Sequence, residues 1–324
     1  MAAGDGDRVT PLEEPSQFWQ KLGAEHRAQL DKHGFDQLKR QQAFRYFTWR
    51  WSWGSLRESR QMRFLLPRSR LGTLLRLAAP AHVSGPEWNG VPWSRRDRWL
   101  YVAATRLLWD YASRHDALDV LSLPEPELGN PLRVPWRGRL ISQDLANSAL
   151  ETTAVARALR TSEPRSILEV GAGYGRTAYA LLKSFPGATY TIVDIEPALS
   201  ISRWYLTRLL EPERLRFMRP DEASTLGPGD ADLAVSISSL QEMTHAQVAG
   251  YLELFDRVVR DGTVYLKQWR RWTNPDDEVT FDLREHQIPA RWQVVLDEEA
   301  PVQTNFRQVA WHLPDAGPPA LPRD

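Results

Sequence analysis

Five residues set the chemical question: Glu169, Gly171, Gly173 and Gly175 alternate through SILEVGAGYGRTAYALL, and Asp194 ends the apolar run TYTIVD. Alternating glycines let a ligand approach the backbone closely. A dinucleotide turn of the G-x-G-x-x-G kind needs its third glycine where this chain has Arg176, so that match fails. No G-x-x-x-x-G-K-[ST] phosphate loop occurs either. A carboxylate just before the glycines would repel a pyrophosphate, but Glu169 can pair with a cationic amino group. Asp194, followed by Ile195, is placed to accept both hydroxyls of a ribose. Asp221 or Glu222, after the next strand, can meet an adenine amino group. Together they suit a ligand with ribose, adenine and ammonium but no phosphate.

These residues need strand ends to hold them. From Arg165 the short apolar runs SILEV, TYTIV, LRFMRP, ADLAVSISS, GTVYLKQW, WQVVLDE and FRQVAWHL read as strands. TAYALLKSF, ALSISRWYLTRLL and HAQVAGYLELFDRVV read as helices between them. Such alternation implies α/β architecture, a Rossmann-like sheet with helices on both faces, whose ligands sit at the carboxyl ends of the strands. Upstream, apolar residues recur at helical spacing, as in Leu100, Ala104, Leu107, Leu108 and Tyr111, predicting an all-helical N-terminal lid. The expected organisation is a disordered N-terminus at 1–15, a helical cap at 16–120, and a connector and helix at 121–160. A ligand-binding domain at 161–313 and a disordered tail at 314–324 complete it.

At this point the chain resembles the class I S-adenosylmethionine (SAM)-dependent methyltransferases, over about residues 160–312, on E-x-G-x-G-x-G and the strand-terminal Asp194. GAGYGR, VDIEPALSIS, SISSLQEMT and YLKQW, with FWQKL and GFDQLKRQQAFRYF upstream, are similar to the sugar O-methyltransferases of bacterial biosynthetic clusters. The resemblance implies SAM as cofactor, a small-molecule substrate, and methyl transfer to a hydroxyl of a sugar or natural-product scaffold. The same neighbourhood includes enzymes for which SAM is itself the substrate, its α-amine displacing at its own γ-carbon to give azetidine-2-carboxylate and methylthioadenosine. A non-catalytic SAM-binding protein is the third reading.

Methyl transfer to a hydroxyl calls for a base. SSLQEMTH follows the fourth strand, and Glu242 and His245, three apart, would share one helical face. Either can be the base, or each can be an ordinary residue of a helix N-terminus. Ser238, Ser239 and Gln241 can orient an acceptor or the amino-acid part of SAM, and Asn147 or Ser200 can hold its amine. Tyr174, inside the glycine turn, either packs against the lid or offers a ring face to the sulfonium. In FRYFTWRWSW, Phe44, Phe47 and Trp51 share a face, which suits a wedged helix or a lid, with Arg45 and Arg50 free to meet a carboxylate or to snorkel. Gln143, Asp144 and Asn147 can line the site from above, or Ser142 and Asp144 can cap a helix. The pair Asp276–Asp277 reads as a turn, and no metal site is expected among the scattered histidines.

The bulk numbers narrow the partners. Lysine plus arginine (41) balances aspartate plus glutamate (41), so no net field draws nucleic acid or an anionic membrane. Cysteine is absent, which excludes disulfides and thiolate chemistry. No signal-peptide pattern or membrane-length apolar run is seen. A cytoplasmic protein is expected, with room for a homodimer. The 14 tryptophans suit core and lid packing, and also a closed small-molecule pocket.

Overall fold

A computed structural model of the chain describes residues 12, 15–41, 43, 44, 64, 94–160 and 163–315. The expectations for residues 1–11, 45–53 and 316–324, and the helix read over SRLGTLLRLAAP, lie outside these. Helix α1 (Gln17–His33) starts at Ser16, whose hydroxyl accepts the Trp19 N–H. A 3₁₀ turn follows at Phe35–Arg40. Helix α2 (Arg95–Ala112) opens with a reciprocal Ser94–Asp97 capping box.

Strands β1 (Val134–Trp136) and β2 (Arg139–Ile141) form an antiparallel hairpin inside the stretch read as a connector. Its two turn residues, Arg137 and Gly138, both have positive φ, as the favoured two-residue hairpin turn requires. Three-residue strands beside prolines leave no alternation to read. Helix α3 (Gln143–Ala158) is capped by Ser142, which accepts the Asp144 N–H.

The remaining elements follow the expected alternation. They are β3 (Ser166–Val170), α4 (Arg176–Ser184), β4 (Thr189–Val193), α5 (Ala198–Leu206), β5 (Leu215–Met218), β6 (Ala231–Ile237), α6 (His245–Val258) and β7 (Val259–Trp269). A small hairpin, β8 (Trp272–Thr273) and β9 (Thr280–Phe281), precedes β10 (Gln293–Glu299) and β11 (Phe306–Leu313). The seven-stranded sheet runs β10-β11-β7-β6-β3-β4-β5. Strands β3 to β7 are parallel, and β11 lies antiparallel between β7 and β10.

Side chains alternate between two apolar layers, as a sheet covered on both faces requires. Ile167, Tyr190, Ile192, Leu233 and Tyr265 pack with α2, α3, α4 and α5. Leu168, Val170, Val193, Ala234 and Leu266 pack with α6. The described helices of the N-terminal region share the first layer rather than forming a separate core. This is the Rossmann-like α/β fold expected from the sequence. The chain leaves β3 toward β4 on one side and returns to β6 on the other, so the crevice opens at the carboxyl ends of β3, β4 and β6.

Candidate active site

That crevice holds a cavity of about 310 Å³, at the small end of the roughly 300–1,000 Å³ of small-molecule sites. The glycine turn forms its floor. Gly171 has φ +75, and a Cβ there would lie 1.9 Å from Ser239 Oγ. Gly175 has φ +95, and a Cβ there would meet Leu206 at 2.7 Å. The turn therefore passes closely against both the β6 loop and α5.

Carboxylates gather around the turn. Glu169, at the end of β3, is 1% exposed and accepts the Tyr190 hydroxyl at 3.0 Å. Burial pushes its pKa up to about 8. Asp194 accepts the Gly173 N–H at 3.1 Å through one oxygen and the Ile195 N–H at 2.8 Å through the other. The Ala172 N–H also reaches this carboxylate, and its remaining lone-pair capacity is open to a ligand hydroxyl. Burial raises Asp194 to about 7, against those backbone hydrogen bonds.

Glu242 faces the cavity from the turn after β6, and burial raises it to about 8, against a hydrogen bond donated by the Trp19 indole. His245 does not join it. Glu242 ends a 3₁₀ turn, Met243 and Thr244 are extended, and α6 starts only at His245 with Thr244 as its cap. The two residues are not on one helical face: His245 is exposed and its ring lies 5.2 Å from that of His286.

Other expected site residues divide in the same way. Ile195, Asn147, Ser238, Ser239, Gln241, Gln143 and Asp144 line the cavity. Ser238 has φ +56, a strained value for a non-glycine residue, and such strain is typical of functional turns. Ser200 and Asp221 do not line it. Ser200 is exposed on α5, and Asp221 is tied at the surface to Arg219 by two 3.1 Å hydrogen bonds. Glu222 is likewise turned to the Arg219 N–H at 2.7 Å. A polar partner for an adenine amino group is therefore not found where the sequence suggested it.

Tyr174 lines the cavity, but a protein cation sits over its ring: Lys39 Nζ lies 4.1 Å from the ring centroid and 2.8 Å from Asp144 Oδ2. The Tyr174 hydroxyl donates to the same Asp144 oxygen at 2.7 Å. Lys39 is 2% exposed, so this trio ties the 3₁₀ turn after α1 to the glycine turn.

The roof was not legible as a site. Trp19 and Ser16 come from the start of α1, Trp269 from β7, Trp272 from β8 and Phe306 from β11. The Asp276–Asp277 turn does more than reverse the chain. Asp277 accepts the N–H groups of Gln17 and Phe18 at 2.9 and 3.2 Å, and Asn274 steadies it with a 2.7 Å hydrogen bond. Ser16 Oγ donates to the Glu242 carbonyl at 3.0 Å. Asp277→Ala should free the first turn of α1, losing about 0.5–2 kcal/mol of local stability. Faster amide hydrogen exchange in residues 16–20 is the expected result, with exchange in β3 and β4 unchanged.

Comparison with known proteins meets the chain over the glycine turn and the strands around it. Residues 168–265 match the model of a family described as a methyltransferase domain. From β3 to β7 the chain is similar to a methyltransferase domain. The class and the SAM cofactor expected from the sequence agree with this match. Malonyl-[acyl-carrier protein] O-methyltransferase of Paenibacillus sp. (strain JDR-2) is 29% identical over 123 residues, 37% of this chain and 43% of that protein. The chain thus matches less than half the length of that relative. Among solved structures, a SAM-dependent methyltransferase from Aquifex aeolicus is similar over 51% of this chain and 89% of its own, at 17% identity and TM-score 0.40. A geranyl diphosphate methyltransferase in complex with SAM is similar over 53% of this chain and 87% of its own, at 11% identity and TM-score 0.43. Among the described residues, no helix is long and apolar enough to cross a membrane. No cluster of three or more His, Asp or Glu side chains there could hold a metal ion.

Proposed function

We propose that the cavity binds SAM and that the protein transfers its methyl group to a hydroxyl of a sugar or secondary-metabolite scaffold. The observation carrying this reading is the convergence of Glu169, Asp194 and Glu242 on the glycine turn. Three carboxyl groups at the turn fit a ligand with hydroxyls and positive charge. When bound, SAM supplies an electrophilic methyl group on a sulfonium.

The chain's own residues do the rest. Asp194 holds ribose hydroxyls on its remaining lone pairs, and the Gly171–Gly175 turn lets the ligand lie against the backbone. Glu242, held by the Trp19 indole, takes the acceptor's proton on its carboxylate. Trp19, Trp269, Trp272 and Phe306 exclude water, which strengthens the carboxylates' hold on a cation. His245, outside the cavity, has no part in this reading.

The small cavity volume favours keeping one second reading. A site with little room beyond SAM suits cyclisation of SAM itself to azetidine-2-carboxylate. Incubation with SAM alone, then with sugar and polyol acceptors, followed by mass spectrometry, separates the two. S-adenosylhomocysteine formed only with an acceptor is the expected result. Methylthioadenosine with an equimolar four-membered imino acid, formed without acceptor, would replace methyl transfer by cyclisation.

A further inference from the structure

The cavity has a second charged end that the reading above does not use. Glu151, on α3, is 2% exposed. Its Oε2 accepts from Arg176 Nη1 at 2.5 Å, and its Oε1 accepts from both Lys267 Nζ at 2.7 Å and Arg176 Nη2 at 3.2 Å. Two cations therefore meet on one carboxylate oxygen. Their other acceptors are neutral: the Ser148 hydroxyl for Arg176, at 3.0 Å, and the Gln303 amide oxygen for Lys267.

Arg176 and Lys267 thus share one carboxylate, and burial, with the neighbouring guanidinium, lowers the Lys267 pKa. Burial of the carboxyl opposes ionisation, but the two cations outweigh it and hold Glu151 down at about 2, so it stays a carboxylate. Arg176, Lys267, Glu151 and Gln303 all line the cavity. Lys267 is 4% exposed, so bulk water does little to screen it. Among the described residues, the Nε–H and one Nη2–H of Arg176 and the third N–H of Lys267 have no oxygen acceptor. Beyond these acceptors Lys267 Nζ has the Phe306 ring, 5.4 Å from its centroid, and an anion reaching the unused N–H groups would complete the pair. A planar two-oxygen anion matches the guanidinium edge beside a point charge.

We propose that Arg176 and Lys267, held side by side by Glu151, form a carboxylate-binding subsite of the cavity. Glu151 is the positioning residue, and Arg176 and Lys267 are the ligand contacts. For what fills the remainder of the cavity, this rests on the S-adenosyl reading. The ligand would be zwitterionic, with its positive end toward Glu169, Asp194 and Glu242 and its negative end here. The carboxylate can belong to the amino-acid part of the S-adenosyl ligand or to an acceptor, and binding measurements distinguish the two sources.

The test is calorimetry on the full chain with four probes: S-adenosylhomocysteine, its decarboxylated analogue that keeps the amine, methylthioadenosine, and acetate titrated with and without S-adenosylhomocysteine. If the S-adenosyl ligand supplies the carboxylate, the decarboxylated analogue binds roughly ten- to a hundredfold more weakly than S-adenosylhomocysteine. Lys267→Gln then closes that gap by weakening S-adenosylhomocysteine alone. If an acceptor supplies it, the two ligands bind alike, and acetate binds the saturated wild type but not Lys267→Gln. Arg176→Gln, at a more exposed side chain, repeats either result should Lys267→Gln fail to fold. The subsite is overturned by a wild type with no gap and no acetate binding, or by a gap that persists in both variants. Methylthioadenosine reports on the S-adenosyl reading separately. If neither it nor S-adenosylhomocysteine binds, that reading fails, and acetate with the unsaturated wild type and Lys267→Gln still decides the subsite.

Discussion

Gly171→Ala is expected to destabilise the protein by about 2–4 kcal/mol and to abolish ligand binding. Two costs combine at this position. An alanine at φ +75 is strained by about 1–2 kcal/mol. Its Cβ would also lie 1.9 Å from Ser239 Oγ and 2.3 Å from Ser239 Cβ, so the β6 loop must move. That loop is not free to yield, because the Ser239 N–H donates to the buried Gln268 side chain at 3.1 Å. Displacing Ser239 would disturb Ser238 and Glu242 beside it, so the loss of binding follows from the same contact. Denaturant unfolding reads the stability, and Gly187→Ala is the control, with nothing within 4 Å of the added carbon and an expected change within about ±0.5 kcal/mol. Equal stabilities for the two variants would refute the close approach.

The second large effect is on rate. Glu242→Gln should lower kcat for methyl transfer to a hydroxyl by roughly 10²–10⁴-fold, the range of a lost general base. Burial holds Glu242 at about 8, so the wild-type rate should climb with pH and level off above about 8. The slope should vanish in the variant. An unchanged kcat and pH profile would remove Glu242 from the chemistry.

The same burial couples stability and binding to pH. Glu169 at about 8, Asp194 at about 7 and Glu242 at about 8 all lie above the ordinary carboxyl range. The folded chain keeps these protons when the unfolded chain, with carboxyls near pH 4, has lost them. Their contribution to stability is therefore full below about pH 4 and is lost as pH rises to about 8. A cationic ligand favours the ionised forms and expels those protons. The affinity for SAM should accordingly rise between pH 6.5 and 8.5 by more than that for S-adenosylhomocysteine, whose sulfur is neutral.

The seven-stranded sheet was legible because most of its strands are short apolar runs bounded by turn residues, and the glycine turn fixed its orientation; the two-residue strands β8 and β9 were not read. Glu169 and Asp194 could be placed for the same reason, as residues at strand ends. The β1–β2 hairpin escaped because three-residue strands beside prolines carry no period. Pairing Glu242 with His245 failed on local geometry: two extended residues separate the 3₁₀ turn from α6, and helical spacing does not apply across them. Asp221 failed because a neighbouring arginine two residues away captures it at the surface.

For Tyr174 the sequence leaves open packing against the lid or a ring face for a sulfonium, and Lys39, 135 positions earlier in sequence, is the cation the fold puts over it. No local pattern announces such a contact. The Glu151–Arg176–Lys267 cluster did leave a trace: Lys267 is a lone charge inside the buried strand TVYLKQW, and a buried charge must have a partner. Which partner it has depends on α3, more than a hundred residues away.

The central claim, that this cavity is an S-adenosyl site, is tested most directly by calorimetric titration of the full chain with S-adenosylhomocysteine, beside Asp194→Ala. The account predicts one-to-one binding by the wild type and a loss of roughly tenfold or more in Asp194→Ala, which gives up the acceptors for the ribose hydroxyls. Absence of binding by the wild type, or equal affinity in the two proteins, would contradict it.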